Sequence, residues 1–293
     1  MEYGKLIKDA LAIAWRKRYL WVFGFFAGAG SPSFDNQLAT EKLGDAWDWL
    51  AGNPGLVVVL AAMALGVGLV FWVLQVVSQG SLVRGVGDIE ASAPSDFERA
   101  LSHGLKLFWR VLGLQLLLFA AVVGAAALAA GPPALMIAFG GTGLKVLGVA
   151  WLVAAILPAI AGLVAAGLLW NYALRHLVLE EMPVFDSVRS AWLSIKSNFS
   201  ESVILFAIGL GIGLALGLAV VLALVLLAIP FVILGIINLA LGLAPGLIIG
   251  VPVFIMLICV LGVFQSAYWT LGFMRLPSAP LGAVRSSGDA TAS

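Results

Sequence analysis

Hydrophobic residues in this chain come in long unbroken runs separated by short charged segments. A membrane helix needs about 20 mainly apolar residues, because each adds about 1.5 Å and the hydrocarbon is about 30 Å thick. Five runs meet that length, near Gly55–Gln79, Leu107–Ala130, Val146–Tyr172, Val203–Ile229 and Gly246–Leu271. A sixth, Tyr19–Gly30, is shorter. It becomes a span, near residues 11–30, if its helix starts at Leu11 and Arg16, Lys17 and Arg18 snorkel to the interface. One rival reading is a cleaved signal peptide, since a basic stretch and a short apolar run end in Ala27-Gly28-Ala29. A re-entrant loop is another. The apolar connection Pro230–Pro245, with Gly235 and Gly242, reads as the outer turn of a hairpin or a segment dipping back into the membrane, and it could extend either flanking helix by a turn or more. The predicted fold is an all-α six-helix transmembrane bundle over residues 1–276, followed by a flexible tail over 277–293.

The segments between spans carry a second pattern. Phe185, Val188, Trp192, Ile195 and Phe199 fall on one face of a helix, and Phe97, Leu101, Leu105 and Phe108 do the same, with Arg99, His103, Lys106 and Arg110 mostly opposite. Ungapped segments starting at Ala10, Ala100 and Ser190 place Arg16, Lys106 and Lys196 in one register and Tyr19, Trp109 and Phe199 in another. Each unit reads as a cytoplasmic amphipathic helix, a span, an outer turn, a second span and a closing arginine: Arg84, Arg175 or Arg275. Two origins fit: a threefold repeat of one hairpin, as internal repeats build many transporters, or independent interfacial helices that share the same chemistry.

Composition agrees with the membrane reading. Of 293 residues, 62% are hydrophobic and 11% charged, against about 25% charged in soluble domains. Six spans and their loops use up the chain and leave no stretch for a soluble catalytic domain. A net charge of +1 gives no bulk attraction to nucleic acid. The 16 basic residues are nevertheless unevenly placed. With six spans and an inner N-terminus, only Lys42 and Lys145 face outward, and the others lie on cytoplasmic segments, where Lys and Arg are in excess. Both termini are therefore expected in the cytoplasm. If the first run did not cross, Arg84–Arg110 and Arg175–Lys196 would face outward, against that rule.

The segment LRHLVLEEMPVFDSVRSAWLSIKSNF, residues 174–199, resembles a recurring element of prokaryotic multi-pass membrane proteins. It is similar to the membrane domain found beside some glycerophosphodiester phosphodiesterases. QGSLVRGVGDIE (79–90) and DALAIAWRKRYLWVFGFFAG (9–28) look like further elements of that family. The resemblance implies a membrane module in a prokaryotic plasma (inner) membrane. It does not carry the phosphodiesterase activity, because the soluble barrel with its His-Arg-Gly opening is missing; the two histidines here, His103 and His176, are not in that setting.

Candidate chemistry is sparse. Glu41, Asp45 and Asp48, followed by aromatic residues, form an acidic helix face that could hold a divalent ion but reads more simply as solvated. No metal site and no cofactor is expected. Cys259 stands alone in an apolar run and cannot form an internal disulfide. No charge lies deep in a span, which weighs against an ion-coupled pump. Gln75, Gln115, Asn171 and Gln265, each roughly 6–15 Å inside, form a candidate intramembrane polar cluster: a cavity open to the cytoplasm, or interhelical hydrogen bonds. Gly209, Gly213 and Gly217, and Gly242, Gly246 and Gly250, suit close helix packing within the chain or in a homo-oligomer. Pro158 and Pro252 should kink their helices.

The function these residues favour is a non-enzymatic lipid-interacting or transport-like module. Its candidate headgroup contacts are Arg84, Arg99, Lys106, Arg110, Arg175, Arg189, Lys196 and Arg275, and its partners are anionic lipids of the cytoplasmic face. An accessory subunit bound to another membrane protein is the alternative. A membrane-embedded lipid enzyme using His176, Glu180 or Glu181 is a third reading.

Overall fold

In a computed structural model, residues 2–29 and 53–276 are described. The acidic cluster Glu41, Asp45 and Asp48, Lys42 and the tail 277–293 lie outside them. The described residues form nine α-helices: α1 (Tyr3–Arg16), α2 (Leu20–Ala29), α3 (Pro54–Glu90), α4 (Phe97–Lys106), α5 (Phe108–Phe139), α6 (Thr142–Leu179), α7 (Val184–Ser197), α8 (Phe199–Ile237) and α9 (Leu239–Met274). Five of them, α3, α5, α6, α8 and α9, are long and apolar enough to cross a membrane. Helix is the only regular secondary structure among the described residues, and the chain is a multi-pass integral membrane protein.

One sequence expectation changes, and two outer turns prove tighter than the apolar runs alone define. The first run is not one helix from Leu11. α1 ends at Arg16, and Lys17 caps it through its N–H on the Ile13 carbonyl. The Trp21 indole then donates to the Ala14 carbonyl at 2.7 Å, which turns α2 at the end of α1. Three adjacent cations are accommodated in that bend rather than drawn along a continuous span. Pro230–Pro245 does hold the turn of a hairpin, and the helices extend far into it: Pro230 lies inside α8, Pro245 inside α9, and the turn is reduced to Asn238. The region between Ala130 and Val146 is likewise helical except at Gly140 and Gly141. With no water to satisfy free peptide groups in hydrocarbon, helices that run on to a tight turn leave the fewest groups unpaired. Pro158 and Pro252 lie inside the continuous helices α6 and α9.

The buried core gathers at one end. It consists of Val76–Val86 of α3, Leu112 and Leu114 of α5, Leu168–Val178 of α6, Leu205 of α8 and Val263–Leu271 of α9, with Leu6, Ala10, Leu20 and Phe23 from α1 and α2. Arg84, Arg110, Arg175 and Arg275 mark this as the charged end. The most apolar stretches of α3 and α8 contain no buried residue. A helix apolar all round needs no protein cover in lipid, so the opposite halves of the spans stay solvated by hydrocarbon. The long helices pair in sequence order, α5 with α6 and α8 with α9, while α2 packs between α3 and α9.

Helix ends at the charged face are specified locally. After α3 the Ser92 N–H bonds to the Ile89 carbonyl and the Ala93 N–H to the Asp88 carbonyl at 2.8 Å. This is a Schellman stop, with Ser92 at φ 54° in the left-handed position. After α6, Glu181 takes the same position at φ 55°.

Candidate functional site

The three short helices α1, α4 and α7 surround the charged end, each laid on a long helix that precedes it around the bundle. α4 packs on α3, α7 on α6, and α1 on α9, which joins the two ends of the chain. Their inward faces mix small and large residues: Ala10 and Ala14 with Leu6 and Ile13, Ala100 with Gly104, and Ala191 and Ser194 with Ile195 are buried. A Cβ on Gly104 would collide with the Ser81 hydroxyl and lie 2.6 Å from the Val77 carbonyl of α3. Outward, the same helices and the residues that follow them expose large apolar groups: Leu11 and Trp15; Phe97, Leu105 and Trp109; Phe185, Trp192 and Phe199. The apolar stripe read from the sequence is therefore split. Ile195 goes into the core while Phe185 and Trp192 face away from it, toward the level where amphipathic rings sit at a membrane interface.

The eight predicted headgroup contacts separate into three groups. Lys106, Arg189 and Lys196 are exposed, and no carboxylate among the described residues lies within ion-pair distance of them. Arg99 and Arg110 are exposed but bond to backbone, Arg99 to the Pro94 carbonyl at 3.2 Å and Arg110 to the Glu181 carbonyl at 2.8 Å. Arg84, Arg275 and Arg175 are engaged inside the protein. Arg84 pairs with Asp88 at 3.1 Å. Arg275 bridges Asp9 of α1 at 2.8 Å and Glu90 of α3 at 2.9 Å. Partial burial works against its charge, yet the Glu90 and Asp9 carboxylates more than offset that and raise its pKa above the ordinary value.

Arg175 departs furthest from expectation. It does not reach the surface; it is 3% exposed. Its Nη1 donates to the Asn171 carbonyl and to Asn171 Oδ1, both at 2.9 Å, and its Nε has no partner. No carboxylate is within ion-pair distance of it among the described residues. The reason is azimuthal: at this level α6 is covered by α3, α7 and α9, so its side chains have no path to solvent.

His176 and several residues not singled out in the sequence complete an inner polar layer beside Arg175. His176 is buried between Glu180 Oε2 at 2.9 Å and the Ser194 hydroxyl of α7 at 3.1 Å, with its ring edge-on to Phe273 of α9. The Tyr172 and Ser202 hydroxyls are 3.0 Å apart, joining α6 to α8. Tyr268 of α9 donates to the Leu205 carbonyl of α8 at 2.8 Å. A serine or tyrosine at the end of an apolar run was the available signal, but spacing alone does not say which run it faces.

The four intramembrane amides are not joined. Among the described residues no hydrogen bond links any two of Gln75, Gln115, Asn171 and Gln265. Asn171 bonds within α6, to the Gly167 carbonyl as well as to Arg175. Gln115 Oε1 is buried without a partner, and Gln265 is exposed. The glycine rows divide too. Gly209 lies against Tyr268, and Gly242 and Gly246 against Phe231, whereas Gly217 and Gly250 face open space. The described residues hold no group of three His, Cys, Asp or Glu side chains able to bind a metal ion.

A family model matches residues 14–274, from inside α1 to the last residue of α9, and is described as a family of unknown function, DUF7544. The chain belongs to the DUF7544 family. No curated protein and no solved structure matches the chain.

Proposed function

We propose that this DUF7544 chain is a non-enzymatic lipid-interacting module of the prokaryotic plasma membrane, with six spans and its charged end in the cytoplasm. The observation that carries the reading is the set of short helices α1, α4 and α7: each turns aromatic residues outward, beside Lys106, Arg189 and Lys196, which have no carboxylate partner among the described residues. Aromatic rings favour the headgroup level, and each Lys or Arg near an anionic leaflet contributes about 1 kcal/mol. Orientation follows from the excess of basic residues at this end. A crossing by the first apolar run, α2 with its neighbours, keeps all these cations on one side.

A threefold build supports the same reading. The units are α1–α2–α3, α4–α5–α6 and α7–α8–α9. Each short helix lies on the last helix of the preceding unit, cyclically. Ser92 and Glu181 occupy the same left-handed position after the closing helices of the first two units.

Lipid selectivity tests the proposal. Protein purified in mild detergent from bilayers of mixed neutral and anionic phospholipid should retain the anionic species in excess. Retention in proportion to the input would overturn it. A second reading, an accessory subunit of a membrane complex, draws on the open Gly217 and Gly250. It requires another polypeptide to remain bound under the same purification, and a lone protomer would reject it.

A further inference from the structure

The long helices do not close up equally around the bundle. Between α9 and α2 the backbones nearly touch: a Cβ on Gly24 would collide with the Cys259 carbonyl, and one on Gly262 with Gly24 itself. Between α6 and α8 the closest comparable approach is wider, 3.6 Å from a Cβ on Gly167 to the Phe206 ring. There a cavity of about 390 Å³ opens between the two helices, with α7 along one end. Ala161, Ala165 and Leu168 of α6 and Val203 of α8 form its walls, and Trp192 and Lys196 of α7 its mouth. From Ala161 to Leu168 a helix rises about 10 Å, so the groove leads from the level of α7 into the apolar depth of the membrane.

Its chemistry selects an occupant. Water in the groove would find almost no hydrogen-bond partner, so it favours hydrocarbon. The small side chains of Ala161 and Ala165 leave a channel where larger ones would close it. At the mouth stands Lys196, an exposed cation with no carboxylate in reach among the described residues, unlike Arg84 and Arg275, which are paired. We infer that this groove holds one acyl chain of an anionic phospholipid, with the Lys196 ammonium on the headgroup phosphate and Trp192 beside it. The inference rests on the lipid-interacting reading above and assigns it a particular site.

Native mass spectrometry of the full chain, released from bilayers of equal phosphatidylglycerol and phosphatidylethanolamine under stepped activation, tests it. The wild-type chain should keep one phosphatidylglycerol adduct after all others are stripped. Lys196→Gln should lower its occupancy about fivefold, as expected for one interfacial cation, and Lys196→Arg should retain it. Ala165→Phe, which fills the groove, should abolish the adduct, while Lys145→Gln near the other end of α6 should leave it unchanged. An adduct untouched by both Lys196→Gln and Ala165→Phe would overturn the site yet leave overall anionic selectivity standing. A phosphatidylethanolamine adduct held as firmly would overturn the headgroup assignment. Loss of all anionic preference in the wild-type chain would overturn the reading beneath it.

Discussion

Asp9 in the first helix is ion-paired at 2.8 Å to Arg275, which follows the last. The same guanidinium holds Glu90 at the end of α3, so one side chain ties together α1, α3 and α9. Both pairs are partly exposed, and each is worth about 0.2–1 kcal/mol. Arg275→Gln should therefore lower thermal stability modestly. The difference should shrink in 1 M salt, where the Debye length is about 3 Å. The buried thiol of Cys259 offers a direct readout, since a thiol-reactive fluorophore labels it only on unfolding. A salt-independent difference would mean that packing, not charge, accounts for the contact.

Gly104 and Gly217 should respond oppositely to alanine. At Gly104 the new methyl meets the Ser81 hydroxyl and the Val77 carbonyl, and forcing α4 off α3 should cost about 1–3 kcal/mol. At Gly217 nothing lies within 4 Å, and the gain in helix propensity is up to about 1 kcal/mol. Thermal unfolding followed at Cys259 should separate the two variants by several degrees. Equal effects would refute the close approach of α4 to α3.

Arg175 is a buried cation satisfied mainly by Asn171. Asn171→Leu removes one acceptor while the guanidinium stays buried, and should destabilise by about 1–3 kcal/mol. Arg175→Met removes the need for that acceptor, and replacement of buried charge by packed apolar groups is often neutral or stabilising. In the Asn171→Leu background, Arg175→Met should thus restore stability. A double variant weaker than either single one would show that Arg175 has another partner.

Ser92 holds a left-handed backbone at φ 54°, which costs an L-residue about 1–2 kcal/mol where glycine has no penalty. Ser92→Gly should stabilise the end of α3 by about 0.5–1 kcal/mol, read as slower amide exchange at Ala91 and Ala93. Ser92→Val should do the reverse.

Much of the architecture was legible along the chain because it depends on local demands. A peptide group in hydrocarbon must bond within its own segment, so the five long apolar runs became the five long helices whatever lay beside them. The segments beginning at Phe97 and Phe185 became the helices α4 and α7, although the apolar stripe of α7 is divided between core and exterior. Less was legible at the candidate site. Lys106 and Lys196 are exposed, whereas Arg175 and His176 are buried, and nothing in the local pattern separates the two pairs.

Periodicity assigns a residue to a depth along its helix, and the spans here are apolar all round, so the sequence carries no marker of which azimuth meets a neighbour. Helix content, span length and the concentration of basic residues at one end were determined by the sequence by itself. The tertiary structure decided the rest: the bend at Lys17, the burial of Arg175 against Asn171, the closure of α1 onto α9 through Arg275, and the groove between α6 and α8. Each depends on which helix faces which, and that is settled by side chains fitting across distances that no local pattern along the chain encodes.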